Sequence, residues 1–236
     1  TWREGVRRYI KAHAYGNTVS DDLWREMDAA AGKPVSTIAH DFTLQPGVPM
    51  IKVLSTACEG GNTTVQLEQG EFSKDQPNKK PLMWHVPVTA QVGKGTVATA
   101  LVADGKGSIT VPGCGPVVVN AGQGGYYRTL YAPKEFQALR GAFAGLQPID
   151  QLGIMGDTWA MAMAGVETPA NYMDLAKAVT ADSVPQVWGE VVDGLLGLDG
   201  YYRGDAARQA TFRKFATARL APELKRVGWM PKEGEP

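Results

Sequence analysis

The sequence changes its period once, and the change falls within residues 116–131, PVVVNAGQGGYYRTLY. Upstream lies a block rich in Val and Thr, where apolar runs of strand length are broken by turn signals about every 8–12 residues. Downstream of Pro133, apolar residues recur at helical spacing almost to the end. Within the stretch, 117–120 and 126–131 read as two strands joined by the Gly-rich turn 121–125. Such a seam closes a β module and passes the chain into a helical one.

The chain has 236 residues, room for one large domain or two ordinary ones. Its 44% hydrophobic and 20% charged content is that of a folded, soluble protein. Lys+Arg and Asp+Glu number 24 each, so no net field draws it to DNA, RNA or an anionic membrane. No nucleic-acid partner is expected. No apolar run approaches the roughly 20 residues of a membrane-spanning helix. The sequence opens inside a helical pattern at Thr1 and Trp2, without a basic and then apolar leader, and stops as abruptly at KEGEP. Both ends read as cuts in a longer protein.

Before the β block, Trp2, Val6, Tyr9, Ile10 and His13 share one helical face, with Arg3, Arg7 and Lys11 on another. Ser20 is placed to cap a second helix whose first turn carries Asp21 and Asp22 near the positive end of its dipole. A short third helix is expected over 35–40. Residues 41–49, DFTLQPGVP, hold two prolines and read as an extended linker. Strands are expected at about 50–58, 63–72, 82–92, 96–103, 107–111, 116–121 and 126–131, a number and spacing that suggest a small β-sandwich. Helices are expected at about 134–143, 148–164, 169–181, 184–198 and 205–227, stacked as antiparallel pairs because the connections are short.

No catalytic constellation is visible. His13, His40 and His85 form neither H-x3-H nor H-E-x-x-H, the spacings that set two imidazoles one turn apart. There is no G-x-S-x-G elbow, and neither cysteine lies in C-x-x-C or at a helix N-terminus. Residues 93–98, GKGTVA, imitate a dinucleotide fingerprint but lead into a strand, so a hairpin turn is expected. Asp21, Asp22 and Glu26 are read as dipole complements rather than an acid–base pair. Asn62-Thr63-Thr64 is a formal glycosylation sequon in a turn and carries little weight. No catalytic, cofactor-binding or metal-ligating residue is therefore assigned.

Cys58 and Cys114 stand at the end of the first strand and in the turn before the sixth, positions that a sandwich can bring side by side. A disulfide is the expectation, and two free thiols are the alternative. Bridged, the loop of over 50 residues would add roughly 4 kcal/mol in the chain-entropy model. It would also imply an oxidising compartment, periplasmic or secreted; free thiols would fit the cytoplasm.

Several stretches resemble one family. They are residues 2–11, WREGVRRYIK; 17–24, ending in DDLW; and 42–49, FTLQPGVP, which is similar to W-T-x-Q-x-G-x-P with Phe42 for Trp. Pro81-Leu-Met-Trp84 and Val86-Pro87-Val88 follow, then 120–128, NAGQGGYYR, matching N-x-G-x-x-G-[FY]-[FY]-R. Arg219-Leu-Ala-Pro and 227–235, VGWMPKEGE, complete the set. Together they resemble the gluzincin-type zinc aminopeptidases, relatives of alanyl aminopeptidase (aminopeptidase N) and puromycin-sensitive aminopeptidase.

The resemblance implies a fragment of a metalloprotease, a hydrolase that removes N-terminal residues from peptide substrates. The family's H-E-x-x-H with its later Glu, its amine-binding G-x-M-E-N and its catalytic Tyr lie upstream of the segment that Thr1 resembles. It implies zinc in the parent, none bound here, and no activity in this part. The implied fold is multi-domain α and β. Residues 1–45 are C-terminal helices of the catalytic domain plus linker, and 46–132 a seven-stranded antiparallel β-sandwich acting as spacer. Residues 133–236 are the first part of the helical domain that covers the active site. The partners are then the missing catalytic domain and the remainder of the helical domain. The competing reading is a non-enzymatic β-sandwich and helical module that binds a protein partner.

Overall fold

The computed structural model describes residues 1–75 and 80–230. The middle of the expected polar loop at 73–81 and the end of the 227–235 resemblance lie outside the described residues. In order the elements are α1 (Trp2–Ala12), α2 (Ser20–Ala31), α3 (Val35–Leu44), β1 (Val48–Glu59), β2 (Asn62–Phe72), β3 (Val86–Val92), β4 (Ala98–Val102), β5 (Lys106–Pro112), β6 (Val117–Val119) and β7 (Arg128–Tyr131). Five helices follow: α4 (Pro133–Ala142), α5 (Pro148–Met163), α6 (Pro169–Ala178), α7 (Pro185–Tyr201) and α8 (Ala206–Val227).

The expected helices form, with two differences at the start. Ser20 is the first helical residue rather than the cap, and Asp22 turns back to accept the Val19 N–H at 3.0 Å. Helix α3 runs on to Leu44, so the first four residues of the expected linker at 41–49 are helix, and its last two begin β1. The helix stops at Gln45, whose extended φ/ψ of −120/146 is what a following proline imposes.

The strands do not make a seven-stranded antiparallel sandwich. They form a mixed four-stranded sheet, β5-β2-β1-β7, and a separate three-stranded one, β4-β3-β6. β1 and β7 are parallel, Met50 opposite Arg128 through Val53 opposite Tyr131. The seam is accordingly not a hairpin. β6 pairs with β3 in one sheet, β7 with β1 in the other, and the 3-10 turn Ala121–Gln123 carries the chain across. Alternation alone cannot tell a hairpin from such a crossing, because both show the same apolar faces.

Trp84, expected inside a strand, lies before β3. Its N–H donates to Gln69 Oε1 at 2.6 Å and its carbonyl accepts from Gln69 Nε2 at 2.8 Å. A buried glutamine thus replaces a strand partner. The imitation fingerprint at 93–98 is the β3–β4 turn, as expected.

A single core cluster runs from Ile51, Val65 and Leu67 of the four-stranded sheet through Val86 and Val88 of the other. It continues into the helices as Phe136, Leu139, Met155, Tyr172 and Leu195. Of α1–α3, Phe42 alone packs against this cluster, from its margin, while Met27 is buried between helices instead.

Candidate functional site: a junction of buried carboxylates

The seam loop takes a shape that only its own residues permit. Asn120 and Gln123 have φ of 61° and 54°, in the left-handed region, with Gly122 between them at 78°. Asn120 closes the loop: its Oδ1 accepts the Gly125 N–H at 2.9 Å and its Nδ2 donates to the Gly125 carbonyl at 3.0 Å. A β-carbon on Gly125 would sit 2.3 Å from the Tyr127 ring. One on Gly153 of α5 would sit 2.0 Å from the Gln123 amide, so the helix leaves room for that side chain. Tyr131, two residues before the helices begin, accepts the Val119 N–H at 2.8 Å and ties β7 to β6.

Beside the shared apolar core, carboxylates tie the helices to the sheets. The buried acids among the described residues are Glu135, Asp150 and Asp157. Glu135, in the first turn of α4, accepts the Thr56 N–H at 3.2 Å and the Thr56 hydroxyl at 2.8 Å. The β1–β2 register slips between Val53 and Ser55, just before Thr56, and β7 pairs with β1 only as far as Val53. Glu135 thus caps backbone that β7 leaves open. Asp150 accepts the Gly122 N–H at 2.7 Å, and Asp157 accepts the Thr129 N–H at 2.9 Å. Seven residues apart, Asp150 and Asp157 share one face of α5. Each of the three satisfies a backbone donor that no strand partner reaches.

Asp157 also receives Arg128 at 3.0 Å, and that guanidinium lies 5.7 Å from the centroid of the Phe72 ring. Burial nevertheless wins over both hydrogen bonds and lifts the Asp157 carboxyl to about 6. Burial likewise raises the Tyr127 phenol to about 12 and pushes Tyr131 well above the ordinary tyrosine range. Asp157 and Tyr131 are dry and engaged, which suits holding and not proton transfer, while the buried Tyr127 hydroxyl has no hydrogen-bond partner among the described residues. The chemistry of the junction is that of a fastening.

The residues weighed from sequence do not converge. His13 stacks near Tyr9, centroids 5.5 Å apart, His40 Nε2 lies 2.7 Å from Asp21, and His85 Nδ1 lies 2.7 Å from Asp41. They stand on or beside three separate elements and do not converge on one point, so together they do not fit a zinc ion. Among the described residues no group of three His, Cys, Asp or Glu is placed to hold a metal. Asp22 is held below the usual carboxylate range by the Val19 N–H, as a helix-capping acid should be. Cys58 and Cys114 are brought together, Cα atoms 5.6 Å apart, at an exposed corner. That corner is further tied by Gly113 N–H to the Gly61 carbonyl at 2.8 Å and by the Thr63 hydroxyl to the Gly113 carbonyl at 2.7 Å.

Sequence reading missed the three carboxylates. One signal was present, since Asp157 opens a run of small apolar residues, TWAMAMAG, that suits a buried helix, where a charge needs a reason. Glu135 gave none, because a first-turn Glu ordinarily answers the dipole.

One crevice borders the junction and one groove lies away from it. A crevice of about 400 Å³ lies between Ile38 and Phe42 of α3, Pro87 and Thr89 of β3, and the loop through Tyr126. An apolar groove runs between α7 and α8, in two parts of about 500 and 450 Å³ that share Leu220 and Leu224. Arg219 lies beneath it, 4.2 Å over the Trp188 ring, donating to the carbonyls of Ala176 and Val179 at the end of α6.

Residues 116–236 match the family model described as ERAP1-like C-terminal domain. The chain is 29% identical over 203 residues to puromycin-sensitive aminopeptidase of Caenorhabditis elegans, covering 82% of this chain and 21% of that protein. It is 27% identical over 247 residues to aminopeptidase M1-A of Oryza sativa subsp. japonica, covering 100% and 27%. Glutamyl aminopeptidase of Bitis rhinoceros is 24% identical over 247 residues, covering 98% and 25%. The chain thus spans about a quarter of the length of the curated relatives it matches. Among the described residues no helix is long and apolar enough to cross a membrane.

Proposed function

Because the chain belongs to the ERAP1-like C-terminal domain family, we propose that it is the non-catalytic, architectural part of a zinc-dependent aminopeptidase removing N-terminal residues from peptides. The observation that carries this reading is coverage. Similarity to proteins named aminopeptidases runs across nearly the whole chain, yet the chain answers to about a quarter of theirs. In this reading 1–45 end the catalytic domain, 46–132 are the spacer, and 133–236 begin the helical domain over the active site. Zinc and the groups that work with it belong to the rest of the parent, since the histidines here do not fit the ion.

Surface character supports the same assignment. Trp2 and Ile10 of α1 are 65% and 59% exposed, the condition of a helix whose apolar face packs on something outside these residues. The groove between α7 and α8 suits the continuation of the helical domain. The test is direct: purified chain, supplied with zinc, is assayed on a chromogenic amino-acid amide. No turnover above the blank is expected, and metal-dependent turnover would overturn the reading.

We also propose that Cys58 and Cys114 are bridged, their Cα separation lying in the range a disulfide spans. The relatives give no support to a periplasmic or secreted location, so that location rests on the pair alone. Peptide mapping without reductant should recover one linked peptide; two free thiols would return the protein to the cytoplasmic alternative.

A further inference from the structure

The crevice beside the seam loop holds a polar group that the fold leaves unused. Tyr127 is 5% exposed, and its hydroxyl has no hydrogen-bond partner among the described residues. Its polar neighbours are already committed. The Thr89 hydroxyl donates to the Ala121 carbonyl at 3.3 Å, and the Asn120 N–H donates to the Thr89 carbonyl at 2.8 Å. Tyr127 and Thr89 both line the crevice, and Thr89 is the polar neighbour that acts most on the Tyr127 hydroxyl. That hydroxyl therefore lies at the crevice floor. A buried hydroxyl without a partner calls for a reason.

The walls are mostly apolar. Ile38 and Phe42 of α3 make one side and Pro87 of β3 another, with the Tyr126 ring at the rim, edge-on to Phe42 at 6.4 Å between centroids. Gly125 has both its N–H and its carbonyl engaged by Asn120, at 2.9 and 3.0 Å. Burial lifts the Tyr127 phenol to about 12, so it keeps its proton and donates at ordinary pH. At about 400 Å³ the space is of the size that takes a small molecule or one bulky residue. A charged ligand would be buried there without a counter-ion. A secondary amide would bring an N–H and a carbonyl to a single hydroxyl and leave one of them short.

We propose that the crevice binds a prolyl residue, an apolar ring carrying a tertiary amide whose carbonyl accepts the Tyr127 hydroxyl. The ring lies among Phe42, Tyr126 and Pro87, and its nitrogen, which carries no hydrogen, leaves nothing unpaired. Grooves lined by aromatic rings take prolyl residues by the same logic. The Tyr127 hydroxyl is closed to bulk water, so the rim yields on binding, and the Tyr126 ring, 68% exposed, is the part that moves. A free acylproline and a prolyl residue within a peptide offer this same chemistry. The inference rests on the chain's own residues and does not depend on the aminopeptidase reading.

The test titrates the full chain with N-acetylproline methyl ester and follows its backbone amide NMR signals. Saturable shifts are expected at Thr89, Gly124 and Gly125, and N-acetylalanine methyl ester should bind about fivefold more weakly or worse. Tyr127→Phe removes a hydroxyl that nothing in the fold uses, so it should fold like the wild type while weakening the proline ester about fivefold. If that variant does not fold, Tyr126→Ala at the exposed rim should weaken the same ester by a similar factor. Acetyl-Ala-Pro-Ala-amide separates the two sources: tighter binding than the ester assigns the site to a peptide, and equal or weaker binding to a free acylproline. No saturable shift, shifts confined to other elements, equal binding of the two esters, or undiminished binding by the variant would each overturn the proposal.

Discussion

The two helical blocks that flank the sheets are attached by different physics. Helices α4 and α5 give three buried carboxylates, Glu135, Asp150 and Asp157, to the backbone donors of Thr56, Gly122 and Thr129. Their apolar faces enter the same core as the strands. Helix α3 offers one half-exposed carboxylate, Asp41, to one backbone donor, and a single aromatic edge. A carboxylate buried on a backbone N–H fixes strand, loop and helix at once, because moving any of them leaves a dry polar group unpaired. A half-exposed one can be released to water at little cost. The same kind of bond thus fuses one block and merely docks the other.

The largest test of that contrast is Asp157→Ala. It strips the Thr129 N–H and Arg128 of their acceptor inside the fused junction and should cost about 3–5 kcal/mol in urea unfolding. Asp41→Ala, at the docked block, should cost about 1 kcal/mol or less in the same experiment. Equal losses would erase the distinction.

The pH dependence sharpens it. Folded, Asp157 holds its proton up to about 6, against 3.8 as its ordinary value, so the folded state binds that proton more tightly. Its contribution is complete below pH 3.8 and is lost as the pH rises through 6, a change of about 3 kcal/mol at most. Asp174 and Glu68 are held low by Lys177 and Lys52 and push the opposite way, so the raw profile is a mixture. Asp157→Asn isolates the effect, since its amide oxygen can still accept the Thr129 N–H but does not titrate. Melting points should show the variant gaining on the wild type between pH 4 and 7. A gap that stays constant would mean that Arg128 fully offsets the burial.

Packing supplies a smaller contrast. A β-carbon on Gly194 of α7 would sit 2.1 Å from the Tyr172 hydroxyl oxygen and 2.3 Å from its ring. That ring is fully buried, donates its hydroxyl to the Glu190 carbonyl and meets Trp159 edge-on, so it has nowhere to go. Gly194→Ala should cost about 2 kcal/mol net of the helix propensity that Ala gains.

Element type was legible in the sequence because period is local. The seven strands and the five later helices follow from apolar spacing, and the 93–98 turn from the strand behind it. Pairing was not legible. Whether 117–120 and 126–131 form a hairpin or cross between sheets is settled by Asp150 reaching Gly122 and Asp157 reaching Thr129, contacts 28 residues apart in the chain. Nothing within a window of ten residues records them. The extension of α3 to Leu44 was missed for a related reason. Pro46 restricts only Gln45, and the signal was read as governing the whole of 41–49. At the site, Asn120, Gly125 and Arg128 stood out as a motif, but their partners on α5 did not, because Asp and Glu in helices usually face water.

The smallest expected effect lies in the docked block. A β-carbon on Gly5 of α1 would sit 2.3 Å from Met27 Sδ, nominally as tight a clash as at Gly194. The obstacle, however, is the end of a thioether with three rotatable bonds, not a ring pinned by a hydrogen bond. Met27 can swing aside, and the gain of about 1 kcal/mol from Ala over Gly in a helix offsets its lost packing. Gly5→Ala should therefore stay within about 1 kcal/mol of wild type in the same melt that records Gly194→Ala. A cost equal to that at Gly194 would mean that α1 and α2 are packed as immovably as the fused core, and the difference between the blocks would then lie in their attachment alone.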